Sequence, residues 1–173
     1  MGRRRDHYEV AFEDFLRCRD WPYVVVDEAK KKTFAQARIK NFDFIVYSAD
    51  GPNLLVDVKG RKFPDLGITG RKRSGRAWEN WVTREDIEGL HQWQQVFGRD
   101  FAATVVFAYW IQGSPEKTAF EDIHVHAGRF YTFLGVLLVD YVAAAKPRSA
   151  KWQTLTMPTE QFRRVARDLA TLL

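Results

Sequence analysis

Residues 41–62, NFDFIVYSADGPNLLVDVKGRK, constrain the chain more than any other stretch. Two apolar runs, 41–47 and 54–59, flank Asp50-Gly51-Pro52-Asn53, a turn signal, and so read as the strands of a hairpin. Each run carries a carboxylate, Asp43 and Asp57, and Lys59 follows two residues after the second. Side chains alternate along a strand, so Leu55, Asp57 and Lys59 share one face and Leu54, Val56 and Val58 the other. Asp43 shares its face with Ile45 and Tyr47. A turn centred near residues 50–51 sets Asp43 opposite residues 57–58 and brings all three charged groups onto neighbouring strands. Charge inside an apolar sheet is costly unless it is paired or binds a metal. Two converging carboxylates repel each other and call for a cation, and their oxygen ligands suit Mg²⁺.

The acid-x-Lys triplet by itself carries little information. With 22 acids in the chain, roughly one such triplet is expected by chance, the false-positive risk of any short motif. Two occur, Glu28-Ala29-Lys30 and Asp57-Val58-Lys59, and only the second has an acid on a hairpin partner. Asp43, a spacer and then Asp57-Val58-Lys59 resembles the active-site signature of the PD-(D/E)xK nucleases, a superfamily that includes restriction endonucleases, Holliday junction resolvases and RecB-type exonuclease domains. The strict resemblance covers residues 41–60, and the order of elements extends it to about 6–111. One departure is Phe42, which stands where the signature has proline.

The resemblance implies an α/β, restriction-endonuclease-like fold, with a central mixed β-sheet flanked by helices on both faces. It implies a Mg²⁺-dependent nuclease, with Mn²⁺ able to substitute, acting on phosphodiester bonds of nucleic acid, DNA first among them. Asp43 and Asp57 would hold the ion with the carbonyl of Val58. Lys59 would position the attacking water and stabilise developing charge. The alternatives are a nucleic-acid-binding module of the same fold without the chemistry, and a structural ion pair of Lys59 with Asp57 or Asp43.

Residues 6–19 read as a helix with Tyr8, Ala11, Phe12, Phe15 and Leu16 on one face. The superfamily often adds an acid from this helix, and Glu9 and Glu13 are the candidates. Glu9 also has capping-box spacing from Asp6, and Glu13 also reads as a solvated acid. A second helix spans about 84–97, with Thr83 as its N-cap, Glu85 and Asp86 in its first turn and Gly98 as its stop. Gln94 falls within its apolar stripe of Ile87, Leu90, Trp93 and Phe97. RecB-like members aim a glutamine of this helix at the active site, so Gln94 is a candidate there, or else a buried side chain bonded to backbone.

Residues 22–27 read as a strand, 60–82 as a long loop and 101–111 as a strand buried on both faces. Residues 129–139 read as one or two strands, the segment after Pro147 as loop, and 152–156 as a short strand. A terminal helix from Pro158 turns Phe162, Val165, Ala166 and Leu169 inward. The chain of 173 residues is expected to form a single domain over 1–173.

A net charge of +5 is modest, but residues 59–76 concentrate seven cations, Lys59, Arg61, Lys62, Arg71, Lys72, Arg73 and Arg76, against the single acid Asp65. That stretch suits phosphate contact or a solvated loop. Trp78 and Trp81 beside it could stack on bases or pack beneath it. His124 and His126 share a strand face and could bind a metal, though two exposed histidines are the commoner outcome. One cysteine, Cys18, excludes an internal disulfide and a multi-cysteine zinc site. No apolar run reaches the roughly 18–20 residues of a bilayer span, and the charged N-terminus leads into no signal-like stretch, so no membrane partner is expected. The expected setting is the cytoplasm, and the resemblance allows a homodimer.

Overall fold

A computed structural model describes residues 5–26, 39–65 and 78–173. The chain opens with helix α1 (His7–Cys18), whose N-cap Asp6 accepts from the N–H groups of Tyr8 and Glu9. Strand β1 (Tyr23–Val25) follows, then β2 (Phe44–Val46) and the long β3 (Asn53–Phe63). Val82–Thr83 form β4 and lead directly into helix α2 (Arg84–Phe97). Strand β5 (Phe101–Ile111) precedes a 3₁₀ turn at Pro115–Lys117, and the β6 (His124–His126) and β7 (Arg129–Leu137) hairpin comes next. The tail comprises α3 (Leu138–Ala144), β8 (Lys146–Ser149), β9 (Thr154–Thr156), α4 (Thr159–Val165), β10 (Arg167–Asp168) and a last 3₁₀ turn.

The main sheet has the order β1-β2-β3-β5-β7-β10, with β6 also paired to β7. The β2–β3 hairpin is antiparallel, with Phe44, Ile45 and Val46 opposite Val56, Leu55 and Leu54. β3 and β5 run parallel over eleven residues, which makes the sheet mixed and buries these two strands at its centre. Helix α1 covers one face, where Phe12, Phe15 and Leu16 meet Leu54, Val56, Val58 and Val106. Helices α2, α3 and α4 cover the other, around Leu55, Val105, Phe107, Tyr109, Tyr141 and Phe162. A second small sheet, β4-β9-β8, lies beside that face. Among the described residues, no helix is long and apolar enough to cross a membrane.

Several elements differ from the sequence reading, each for a local reason. β3 does not stop at Lys59 but runs to Phe63, which is buried and paired with Ile111. The cations that make 60–62 look like loop are accommodated on aromatic rings, Arg61 over Trp81 at 4.0 Å and Lys62 over Trp110 at 5.6 Å. Residues 138–144, read partly as strand, form α3, because β7 ends at Leu137 and only Leu138 and Tyr141 of the next segment turn inward. The expected loop after Pro147 contains β8, which pairs with β9. The terminal helix stops at Val165, and Arg167–Asp168 add to the edge of β7. Phe162 and Leu169 are fully buried, while Val165 and Ala166 pack at the margin.

Candidate active site at the end of the central hairpin

The β2 ladder ends one residue after Asp43, and this break creates the site. The Asp43 N–H donates to the Val56 carbonyl at 2.8 Å, and its carbonyl accepts from Val26 at 2.9 Å. The next donor along β3, the Val58 N–H, goes to Asp43 Oδ2 at 2.7 Å. A carboxylate thus replaces a backbone carbonyl as the partner of β3, which holds it in hydrogen-bonding reach of Asp57. The alternation predicted for β3 holds: Leu54, Val56 and Val58 pack towards α1, and Leu55 packs towards α2.

Asp57 is 6 % exposed, and its Oδ2 lies 2.7 Å from Lys59 Nζ. The same ammonium lies 3.0 Å from Asp86 Oδ1, and Lys40 Nζ approaches that oxygen at 2.6 Å. Asp86 serves two purposes. Its Oδ2 accepts from the Thr83 N–H at 2.8 Å and the Thr83 hydroxyl at 2.7 Å, while the Asp86 N–H donates to Thr83 Oγ1. This capping box fixes the first turn of α2, so Oδ1 is left facing the lysines. Lys40 arrives because Gly89 lets the chain approach α2: a Cβ there would fall 2.5 Å from the Lys40 carbonyl oxygen. Trp93 Nε1 donates to that carbonyl at 3.0 Å and locks the contact.

The electrostatics follow from burial and crowding. Burial above all pushes the Asp57 carboxyl up to about 7; Asp43 and Asp86 add to the rise and Lys59 opposes it. Burial also raises Asp43, with the charge of Glu9 adding and the Val58 N–H and Lys59 opposing. Asp86 moves the other way: burial would raise it, but Lys59, Lys40 and Thr83 hold it well below the usual carboxylate range. Lys59 keeps its proton more tightly than usual because Asp57 and Asp86 outweigh its burial. Asp57 Oδ2 and Asp86 Oδ1 are buried and make close ion pairs without hydrogen-bond geometry among the described residues. The centre therefore holds the carboxylates of Asp43, Asp57 and Asp86 against the ammonium groups of Lys40 and Lys59. Asp43 and Asp57 fit a hard divalent cation held by oxygen.

The other predicted residues divide clearly. Glu9 is buried on α1 and acts on Asp43 through its charge. It is carried there by Tyr8, whose ring packs on Gly60 so closely that a Cβ at that position would fall 2.1 Å from Tyr8 Cδ2. Glu13 points elsewhere. It pairs with Arg5 and accepts from the Tyr23 hydroxyl at 2.9 Å, and these partners outweigh burial and lower its pKa. Gln94 is exposed, and its Oε1 accepts from the Ala103 N–H at 2.7 Å, one residue before β5 begins pairing with β7. That oxygen is bonded to the β5 backbone, as in the alternative reading of this residue.

Val58 is buried beside the cluster. Arg61 is committed to the protein, bonded to the carbonyls of Gly60 and Trp81 and stacked on the Trp81 ring. Lys62 is exposed. Arg71, Lys72, Arg73 and Arg76, and the rejected Glu28–Lys30 triplet, lie outside the described residues. Trp78 packs in the core against Phe63, Tyr109 and Phe120. His124 and His126 are half-buried and meet Asp14, away from this centre. Sequence reasoning missed Lys40 and the contact of Asp86 with Lys59. The first lies in a segment without periodicity, and the second was hidden behind a sufficient explanation as a helix-start acid.

No family model matches the chain, and no curated protein matches it in sequence. Among solved structures it is similar to Hjc, a Holliday junction resolvase from the archaeal hyperthermophile Archaeoglobus fulgidus, at 11% sequence identity and a TM-score of 0.53 over 95% of each chain. The chain has a restriction-endonuclease-like fold. Agreement over nearly the full length of both chains at so low an identity is agreement of architecture.

Proposed function

We propose that the protein is a Mg²⁺-dependent nuclease that hydrolyses phosphodiester bonds in DNA. The observation that carries this reading is the convergence of Asp43, Asp57 and Lys59 at the end of the central hairpin of a restriction-endonuclease-like sheet. Asp43 and Asp57, with the Val58 carbonyl, would hold the ion, and Mn²⁺ would substitute for it. A divalent ion bound there would polarise the scissile phosphate and lower the pKa of a bound water. Lys59 stays protonated between Asp57 and Asp86 and supplies a fixed positive charge for the oxygen that becomes negative in the transition state. Asp86 and Lys40 hold Lys59 in place, as positioning residues. Glu9 adds negative charge from α1. Exposed Lys62, together with Arg71, Lys72, Arg73 and Arg76, would meet the DNA backbone. Branched DNA is the first substrate to test, because the solved structure it resembles is that of a junction resolvase.

The ion pairs of Lys59 with Asp57 and Asp86 favour a second reading, a DNA-binding module in which these charges only stabilise the sheet. Incubation with four-way junction, duplex and single-stranded DNA, with Mg²⁺ or with EDTA, separates the two. Mg²⁺-dependent cleavage that Asp57→Asn abolishes is expected. Binding without cleavage of any DNA form would leave the module.

A further inference from the structure

Asp14, His124 and His126 form a second polar cluster, built from α1 and the β6–β7 hairpin. Asp14 Oδ2 lies 3.0 Å from His124 Nε2 and 3.0 Å from His126 Nδ1. All three potential ligand atoms lie within 4.8 Å of one another. The sequence creates this pairing in two steps. His124 and His126 are two residues apart on β6, so they share a face, and their rings stand nearly parallel, 13° apart, with centroids at 6.5 Å. The hairpin is closed by two residues of positive φ, Ala127 at 48° and Gly128 at 71°, which pins the register and sets His126 opposite Arg129. Asp14 comes from the third turn of α1 and faces both rings.

Two of the three spacings, those from Asp14 to each ring, are close to those around a bound ion. Ligand bonds of about 2.0–2.1 Å in a tetrahedron put neighbouring donor atoms roughly 3.4 Å apart. Opening each nitrogen–oxygen contact by a few tenths of an ångström would admit the metal. The surroundings restrain the ligands without closing the site. Phe15 and Phe133 flank the His124 ring, and Arg17 Nη1 lies 3.8 Å from Asp14 Oδ1. The side chains remain 26% exposed at Asp14, 12% at His124 and 27% at His126, which leaves an entry path and room for a water as fourth ligand.

Two imidazoles and one carboxylate select a borderline transition ion over Mg²⁺, which takes oxygen ligands. β6 is separated from β3 by β7 and β5, three strand spacings or about 14 Å, so this cluster cannot share an ion with Asp43 and Asp57.

We propose that Asp14, His124 and His126 bind one divalent transition-metal ion of the zinc class, which staples the C-terminal half of α1 to the β6–β7 hairpin. Tag-free protein freed of metal is titrated with Zn²⁺ in excess Mg²⁺ by calorimetry, as wild type, as Asp57→Asn, as His126→Gln and as the double variant His124→Gln/His126→Gln. Wild type and Asp57→Asn are expected to bind one Zn²⁺ with a raised melting temperature. The double variant loses at least about a hundredfold in affinity, more than the 10–100-fold typical of an outer-shell change. His126→Gln, at the exposed end of the hairpin, shows a smaller loss and guards against misfolding of the double variant. Co²⁺ titrated into wild type is expected to give the visible absorption of a four-coordinate nitrogen–oxygen site, which needs no variant. No Zn²⁺ binding by wild type, equal affinity in both histidine variants, or loss of binding in Asp57→Asn would each overturn the proposal. None of these results depends on nuclease activity.

Discussion

At the scale of single residues, Lys59 divides chemistry from structure. If its charge acts on the transition state, Lys59→Ala cuts the single-turnover cleavage rate by about 10²–10³, as for loss of one preorganised stabilising group. DNA affinity should hardly change, because Lys62, Arg71, Lys72, Arg73 and Arg76 remain. If Lys59 is only the structural partner of Asp57 and Asp86, the variant loses about 3–5 kcal/mol of stability from the broken buried pair. Rate, affinity and melting temperature measured on this one variant decide, and a folded Lys59→Ala that cleaves at full rate would refute the mechanism. Asp86→Asn tests the positioning role. Asparagine can still accept from Thr83, so α2 keeps its cap, but Lys59 loses one of the two carboxylates that raise its pKa. Cleavage should fall by about 10–100-fold, as for other groups that act by orienting a ligand, and the alkaline limb of the pH–rate profile should move to lower pH. An unmoved limb would reduce Asp86 to a helix cap. Asp43, Asp57 and Lys59 were legible because strand alternation fixes faces; Lys40 and Asp86 were not, since their meeting depends on how α2 packs.

At the scale of elements, the site depends on two close approaches, Lys40 on Gly89 and Tyr8 on Gly60. Tyr8 on Gly60 sets the start of α1 over β3, and with it Glu9. Gly60→Ala should destabilise the protein by about 1–3 kcal/mol, as an overpacked contact does, and should lower cleavage as Glu9 is displaced. Tyr8→Ala in the same chain should recover part of both losses, since the two sites share one contact. Purely additive effects, measured by denaturation and by rate, would show that the contact does not govern α1. The helix starts at Asp6 and Thr83 were readable because capping chemistry is local. The ends of β3 and of the last helix were not, because they are set by partners far along the chain. Trp81 and Trp110 carry the cations of β3, and the edge of β7 receives Arg167 and Asp168. The cations at 71–73 give a separate test of DNA binding. Replacing Arg71, Lys72 and Arg73 by Ala should weaken binding and flatten its salt dependence, by about 0.9 in log–log slope for each phosphate no longer neutralised; an identical slope would remove them from the interface.

At the scale of the whole molecule, the crowded carboxylates make stability depend on pH in a predictable direction. The Asp57 carboxyl titrates near 7 in the folded chain against an ordinary value of 3.8. Between these values the folded protein holds a proton that the unfolded chain has released, so falling pH favours the fold. Asp43, also raised, adds to the same trend. Asp86, Glu13 and Asp14 are held below their ordinary values, and they act in the opposite sense: their contribution is complete above the ordinary carboxylate range and is lost as pH falls through their folded values. Asp57 should therefore stabilise metal-free protein increasingly as pH falls from about 7 towards 3.8, while His7, its pKa lowered first by burial, opposes that trend, and Asp86, Glu13 and Asp14 remove stability below 3.8. Asp57→Asn cannot take up that proton, so the difference between wild type and variant isolates Asp57 from every group that the two proteins share. Saturating Mg²⁺ competes with the proton for the same oxygens and should erase the gain on the acid side while raising stability most above pH 7. Chemical denaturation across this range, with Mg²⁺ and with EDTA, tests both statements. Parallel wild-type and Asp57→Asn curves in EDTA would mean that Asp57 does not hold the proton, and an Mg²⁺ effect that persists in the variant would place the ion elsewhere.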